Sequence, residues 1–282
     1  MRTNPGYAYY ARMTILVTGA TANIGRKVVD HLLALGITDI RALTSNPEKA
    51  ALPATVHVAE GHLRRPETLP AAFAGVDRMY LAPTPDSVTE VLGLARAAGV
   101  QHVVDLSGEP ESWWGTVCTA VEESDLAWTH LWPGDFMENT LLWSHQIRET
   151  GVVREPRPDA ASAPIAMDDI AAVAATLLTD LHPGRAFSLA GPQILTRTDL
   201  VRQLANALGR DIAFCRSSRE DTVTALTPTM GDSATWYVDN ALAGFDLTPP
   251  VLPLTSVQDI TGRTATTFAR WAADNAPRFA AG

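Results

Sequence analysis

Thr18-Gly19-Ala20-Thr21-Ala22-Asn23-Ile24-Gly25 follows directly on the apolar run Ile15-Leu16-Val17 and opens a helical period that reaches Leu35 and stops at Gly36. Read outward from its centre, the stretch is a buried strand, a glycine turn and a helix. Gly19 permits the tight turn, and Gly25 lets helix and strand pack closely. The first amides of such a helix lack acceptors within it, so they can hold a pyrophosphate without a basic side chain. A turn with only a packing role is the alternative reading. At the start of an α/β chain, the binding role is the stronger one.

The same alternation continues downstream. Short apolar runs at 40–43, 56–59, 79–82, 103–106, 127–131 and 187–190 read as strands, and helical periods at 66–73, 88–98 and 168–180 lie between them. Strands and helices at this spacing imply a doubly wound α/β fold, a parallel sheet covered on both faces. After Gly191 the character changes, to an amphipathic helix at 198–208, a short strand at 212–214, Thr- and Pro-rich connections and a last helix at 264–275. This suggests three parts. Residues 1–12 form an N-terminal extension, 13–190 the sheet domain with a substrate-lobe insertion at about 133–163, and 191–282 a small C-terminal α+β lobe that serves the substrate.

Composition narrows the chemistry. Of the 22 basic residues among 282, only Lys27 and Lys49 are lysine, and the net charge is −9. That balance gives no field for attracting a phosphate backbone, so nucleic acid is excluded as a main partner. Cys118 and Cys215 have no paired spacing and no secretory signal precedes them, which places the chain in a reducing, cytoplasmic setting. The apolar runs are too short to cross a bilayer, so no membrane is expected. The seven histidines contain no metal-ligand spacing, and no metal is expected either.

Five segments carry a family likeness: GATANIG (19–25), RALTSNPEKA (41–50), AWTHLWPGDFMEN (127–139), PIAMDDIAAVAA (164–175) and AGPQILTRTDLVRQLANALGR (190–210). Together they resemble the NmrA-like, NAD(P)-binding branch of the atypical short-chain dehydrogenases, from Met13 to the TGRTATTFARWAADNA helix. The resemblance implies a Rossmann-like domain with NADP or NAD as cofactor, NADP slightly ahead. Carried over position by position, it assigns Gly19, Thr21, Ala22, Asn23, Ile24 and Gly25 to the cofactor in the turn, then Arg41, Ser45 and Lys49 after the second strand. His62 and Leu63 follow the third strand, Ala82, Pro83 and Thr84 the fourth, and Ser107 the fifth. Three positions depart from the family pattern. Ala22 replaces the usual middle glycine, Ser45 replaces the second arginine of Arg-x-x-x-Arg, and His62 follows Gly61 where an aspartate is common. Lys49 then offers a point charge for a 2′-phosphate.

No tyrosine has a lysine four residues later, so the Tyr-x-x-x-Lys proton relay is excluded. No Gly-x-Ser-x-Gly elbow is present. Asp135 and Glu109, on loops after the sixth and fifth strands, are the candidate catalytic proton carriers. Trp113, Trp114, Trp132, Phe136, Asn139 and Trp143 are the candidate substrate-binding residues. His130 reads as a core histidine and Cys118 as an inert buried thiol. The expected activity is NAD(P)H-dependent reduction of an apolar small molecule, aromatic, quinone-like or polycyclic, of the kind met in natural-product tailoring, by a monomer or homodimer. A non-redox cyclase or isomerase on the same fold, or an NAD(P)-sensing regulator without turnover, is the alternative.

Overall fold

The computed structural model describes residues 13–112, 114–242 and 257–280; the expected extension 1–12 lies outside them. Strand β1 (Ile15–Val17) leads through the glycine turn into α1 (Asn23–Ala34), and then come β2 (Ile40–Thr44) and β3 (His57–Glu60). A 3₁₀ turn (Pro66–Thr68) and the short α2 (Pro70–Phe73) replace the single helix expected at 66–73, because Pro66 and Pro70 each restart the helical path. β4 (Arg78–Leu81), α3 (Val88–Ala97), β5 (His102–Leu106), α4 (Gly115–Glu122) and β6 (Ala127–Pro133) follow.

The chain continues through a 3₁₀ segment (Met137–Trp143), α5 (Ser144–Thr150), β7 (Val152–Glu155) and β8 (Ala161–Ser162) to α6 (Met167–Thr179) and β9 (Arg185–Leu189). The remaining elements are β10 (Leu195–Thr196), α7 (Arg197–Leu208), β11 (Ala213–Arg216), α8 (Arg219–Met230), α9 (Ser233–Trp236), a π-helical segment (Tyr237–Leu242), α10 (Val257–Thr261) and α11 (Phe268–Ala280).

The main sheet has seven strands in the order β3-β2-β1-β4-β5-β6-β9, and every pair is parallel. Leu16, Leu43, Met79, Leu81 and Val103 turn one sheet face into a core with Phe73, Val91, Leu92, Val117 and Val121 of α2, α3 and α4. The alternate residues Ile15, Val17, Tyr80 and Val104 are equally buried and take the opposite face, where α1 and α6 pack on each other. Strand order reverses between β1 and β4. In open α/β sheets that switch point is where ligands bind, at the carboxyl ends of the strands.

By its internal contacts the chain divides into two compact units. One comprises the described residues of Met1–Pro133, Met167–Leu189 and Val257–Gly262, the other those of Gly134–Ala166, Ala190–Ser256 and Arg263–Gly282. The second unit holds its own core, with Met137, Trp143, Ile147, Val153, Leu200, Leu204, Phe268 and Trp271 among its buried residues. Two small sheets belong to it, antiparallel β8–β10 and parallel β7–β11.

Helix α8 corrects the reading of its segment as connection. Its threonines look unhelical in sequence, yet Thr222, Thr224 and Thr227 each return the hydroxyl to the carbonyl four residues back. The Ser218 hydroxyl caps its start by accepting from the Asp221 amide, 3.1 Å. Lys27, one of the two lysines, lies 3.7 Å from Asp168, which also meets His31 at 3.1 Å. The acidic start of α6 is thus tied to α1.

Two buried basic side chains lie within the first unit. Arg78 donates to the carbonyls of Leu178 (2.6 Å) and Thr179 (3.1 Å), closing the end of α6. Nearby, burial first and then Arg78 pull the His102 imidazole down to about 4. The unfolded chain titrates near 6.5, so between pH 6.5 and 4 it takes up a proton that the folded chain refuses. This residue therefore lowers stability as pH falls through that window, by up to about 3 kcal/mol. Replacing His102 by Gln is expected to flatten that part of the profile, read from urea midpoints at pH 7 and pH 5.

Candidate functional site

The glycine turn is held from both sides. The Thr18 hydroxyl donates to the Tyr80 carbonyl (2.9 Å) and accepts from the Ala82 amide (2.8 Å), which locks the end of β1 to the end of β4. Gly19 has φ +59, and its carbonyl accepts from the Ala22 amide at 2.8 Å. A Cβ on Gly25 would fall on the Gly19 carbonyl, so helix and turn approach as closely as glycine allows. The first helical bond runs from Arg26 N to Ala22 O, 3.0 Å. Asn23, Ile24 and Gly25 therefore carry amides with no acceptor inside the helix, and the Ala22 N-cap supplies no side-chain bond. No acidic residue occupies the first turn. Such an end fits a pyrophosphate. Ala22 is itself exposed, so its methyl costs the turn nothing.

From this turn a pocket extends to the ends of β2, β3 and β4, lined by Gly19, Thr21, Leu43, Thr44, Ser45, Gly61, His62, Leu63, Arg64, Ala82, Pro83 and Thr84. It brings together eight of the residues expected to bind cofactor: Gly19, Thr21, Ser45, His62, Leu63, Ala82, Pro83 and Thr84. The expected Ala22, Asn23, Ile24 and Gly25 form the adjoining turn. Thr21 and Thr44 share a hydroxyl hydrogen bond of 3.2 Å across the floor. His62 accepts from the Arg64 amide at Nδ1, 3.0 Å, and its own amide donates to the Thr68 hydroxyl, 3.0 Å. The imidazole is thereby anchored at the third-strand end.

Arg41 requires correction. It sits three residues before the carboxyl end of β2, and its guanidinium donates to the carbonyls of Ala72 (2.8 Å) and Ala74 (2.7 Å). Its role is to cap α2 rather than to hold a phosphate. Lys49 ends the exposed turn Pro47–Lys49 and is not among the lining residues. The cation that does line the pocket is Arg64, which sequence reading passed over. It is exposed and makes no ion pair among the described residues. Its signal was the basic pair Arg64-Arg65, directly after the Gly61-His62 departure, in a chain with so few lysines.

At the carboxyl ends of β5 and β6, Ser107 is buried and its amide donates to the Leu131 carbonyl, 3.1 Å. Glu109 is exposed on the turn that follows, where its carbonyl accepts from the Ser112 hydroxyl (2.6 Å) and amide (2.8 Å). Trp114 is half-buried against the first unit's core, which makes it largely a packing residue. Trp113 lies outside the described residues. Trp132 is half-exposed at the end of β6, and its indole N–H meets no acceptor among the described residues. The phenol of Tyr80 is fully buried, and burial, then Asp105, hold its pKa high, so it stays protonated.

The second unit overturns three expectations. Asp135 is no open loop carboxylate: it accepts from Asn139 (2.8 Å) and the Ser162 hydroxyl (2.9 Å), and Arg197 stands 3.6 Å away. Only 3% of its side chain is exposed. Asn139 uses its amide on that carboxylate and serves to position it. Trp143 is fully buried in the lobe core and donates to Glu155 at 2.6 Å. Phe136 stays half-exposed, bridged by backbone to Ile165.

A strand–turn–helix with open amides at the switch point, continued by a pocket along the second and third strand ends, defines a dinucleotide-binding Rossmann protein. The family model described as NAD(P)H-binding matches residues 19–109. The chain is 35% identical to a (4-alkanoyl-5-oxo-2,5-dihydrofuran-3-yl)methyl phosphate reductase of Streptomyces griseus, over 94% of this chain and 99% of the relative. It is 36% identical to an NAD(P)H azoreductase of Xenophilus azovorans, over 95% and 99%. Its fold matches that of an NADPH-dependent quinone oxidoreductase from Escherichia coli, solved with NADPH, at a TM-score of 0.80 and 25% identity, covering 93% and 99%. The chain belongs to the NmrA-like, NAD(P)-binding branch of the atypical short-chain dehydrogenases, and it is an NAD(P)-dependent oxidoreductase.

Proposed function

We propose that the protein is a cytoplasmic, NADPH-preferring reductase of apolar, conjugated small molecules such as quinones or enones. The observation that carries the cofactor preference is Arg64, an exposed guanidinium on the pocket wall that also holds Ser45. A guanidinium and a hydroxyl suit a 2′-phosphate, and no carboxylate lines that wall to grip a ribose diol instead. Both cysteines are free, in keeping with a reducing compartment. Among the described residues, no helix is long and apolar enough to cross a membrane.

When bound, the nicotinamide would supply the hydride. The residues of this chain do the rest. Asn23, Ile24 and Gly25 would present backbone N–H groups to the pyrophosphate, Arg64 and Ser45 would hold the 2′-phosphate, and His62 would lie on the adenine side. Trp132 offers an apolar ring at the end of β6, suited to a flat substrate. Glu109, exposed on its turn, or solvent delivers the balancing proton. The substrate class draws support from the relatives named as an azoreductase and a quinone oxidoreductase, and from the conjugated ring in the name of the dihydrofuranyl-methyl phosphate reductase.

Replacing Arg64 by Met tests the reading. NADPH affinity is expected to fall about 10- to 100-fold, the loss of a charge-assisted contact, with NADH affinity unchanged. Tryptophan fluorescence titration with both nucleotides reads it directly. Equal losses for the two would remove Arg64 from the 2′-phosphate. Absence of NADPH oxidation with any quinone, enone or azo acceptor would remove the reductase reading.

A further inference from the structure

Beneath the loop that follows β5, three side chains of different chemistry converge on one point. The Cys118 thiol lies 3.5 Å from Nε2 of His130, and Oε1 of Glu122 lies 3.7 Å from the same nitrogen. The three ligand atoms all fall within 4.8 Å of one another. Cys118 and Glu122 are four residues apart on α4 and share a face, and His130 reaches them from β6. On its far side, Nδ1 of His130 meets the buried Asp105 carboxyl of β5 at 2.6 Å. Trp128 (4.1 Å) and Trp132 (5.8 Å) stack on its two faces and fix the ring plane. Cys118 is buried, as its sequence context suggests, but it has a histidine neighbour in space that the linear sequence does not show.

We propose that Cys118, His130 and Glu122 form a binding site for a divalent cation of the zinc class, with Asp105 orienting the histidine and water taking the fourth position. The two separations made by His130 suit a tetrahedral ion, and the sulfur and the carboxylate oxygen lie within 4.8 Å of each other. Metal bonds of ~2.3 Å to sulfur and ~2.1 Å to nitrogen and oxygen place sulfur and nitrogen about 3.6 Å apart, and nitrogen and oxygen about 3.4 Å apart. The observed separations are 3.5 and 3.7 Å. A cation on Nε2 requires the ring proton on Nδ1, where Asp105 accepts it, the usual outer carboxylate of a metal-bound histidine. Cys118 and His130 are fully buried, whereas the Glu122 side chain is 47% exposed and gives the ion its way in.

Binding displaces the thiol proton to solvent and forms the sulfur–metal bond. The ion binds the thiolate, so affinity is expected to rise with pH across the neutral range. The bound ion links α4 to β6 and raises the unfolding temperature.

The test uses the purified full chain titrated with Co²⁺ and then Zn²⁺. The expected result is a sulfur-to-cobalt charge-transfer band that saturates at one equivalent and is bleached by Zn²⁺. C215S, at the exposed second cysteine, keeps the band; C118S loses it. D105N weakens Co²⁺ binding roughly 10- to 100-fold, in the range for an outer-shell partner. Glu122→Gln changes an exposed group without threatening the fold, and a loss of about tenfold or more is expected there too. No band in the wild type, a band lost in C215S instead of C118S, or unchanged affinity in E122Q would each overturn the site.

Discussion

Arg197→Met is expected to remove about 3–5 kcal/mol of stability, the cost of stranding buried carboxylates without their cation. Arg197 is 2% exposed at the first turn of α7 and grips Glu155 with two bonds of 2.9 Å each. Glu155 is equally buried and also accepts from the Trp143 indole, while the guanidinium lies 4.7 Å from that ring's centroid. With Asp135 at 3.6 Å, one arginine serves two acids in a low-dielectric core. The wild-type guanidinium stays charged: burial opposes the charge, but Glu155 and Asp135 hold its pKa above the ordinary value. In the variant both acids must protonate or reach water, so its deficit should shrink as pH falls toward the carboxylate range. Urea unfolding at pH 7 and pH 5 measures both effects. A loss below about 1 kcal/mol would mean that the lobe core tolerates the stranded acids. Arg197→Lys should rescue little, since an ammonium cannot reproduce the two-pronged grip.

Gly25→Ala is expected to weaken dinucleotide binding by at least about a hundredfold, near 3 kcal/mol. It should also cost about 1–3 kcal/mol of stability. The new methyl would fall on the Gly19 carbonyl and lie 3.0 Å from the Thr18 carbonyl oxygen, and backbone cannot swing aside as a side chain would. Helix α1 must tilt from the turn, which disperses the three open amides. Gly36→Ala provides the control. Gly36 has φ +81 with open space around its Cβ, so the change should cost about 1–2 kcal/mol of backbone strain and leave nucleotide affinity intact. Fluorescence titration beside thermal unfolding separates the two outcomes. Equal affinities in Gly25→Ala and wild type would show that the turn does not need its close approach.

The sheet was readable because its strands are short, apolar and separated by glycine turns, a pattern that depends on neighbours in sequence. The same locality made the glycine turn and the pocket positions Ser45, His62 and Ala82–Thr84 legible, since each follows a strand end. Arg41 misled because sequence shows its distance from the turn but not where a long side chain goes; it went to the end of α2. Asp135 and Trp143 misled for a different reason. Their burial depends on Glu155 and Arg197, which lie on later elements of the chain, and no local pattern announces that partnership. Cys118, Glu122, His130 and Asp105 meet across one helix and two strands for the same reason. Helix α8 was hidden by side-chain chemistry, because threonine reads as unhelical until its hydroxyl finds the preceding turn.

The division of the chain into two units has a consequence for biosynthesis. The polypeptide passes from one unit to the other at residues 133/134, 166/167, 189/190, 256/257 and 262/263. On a ribosome, the first unit waits for α6 and β9, and then for α10, which packs on α6 and emerges only near the end of the 282 residues. Folding must therefore bring together segments far apart in sequence, which slows it and leaves apolar surface exposed meanwhile. No single proteolytic cut frees either unit whole. Nascent chains stalled before Val257 are expected to depend on chaperones, and the nucleotide-binding unit becomes a finished object only when the lobe is nearly finished too.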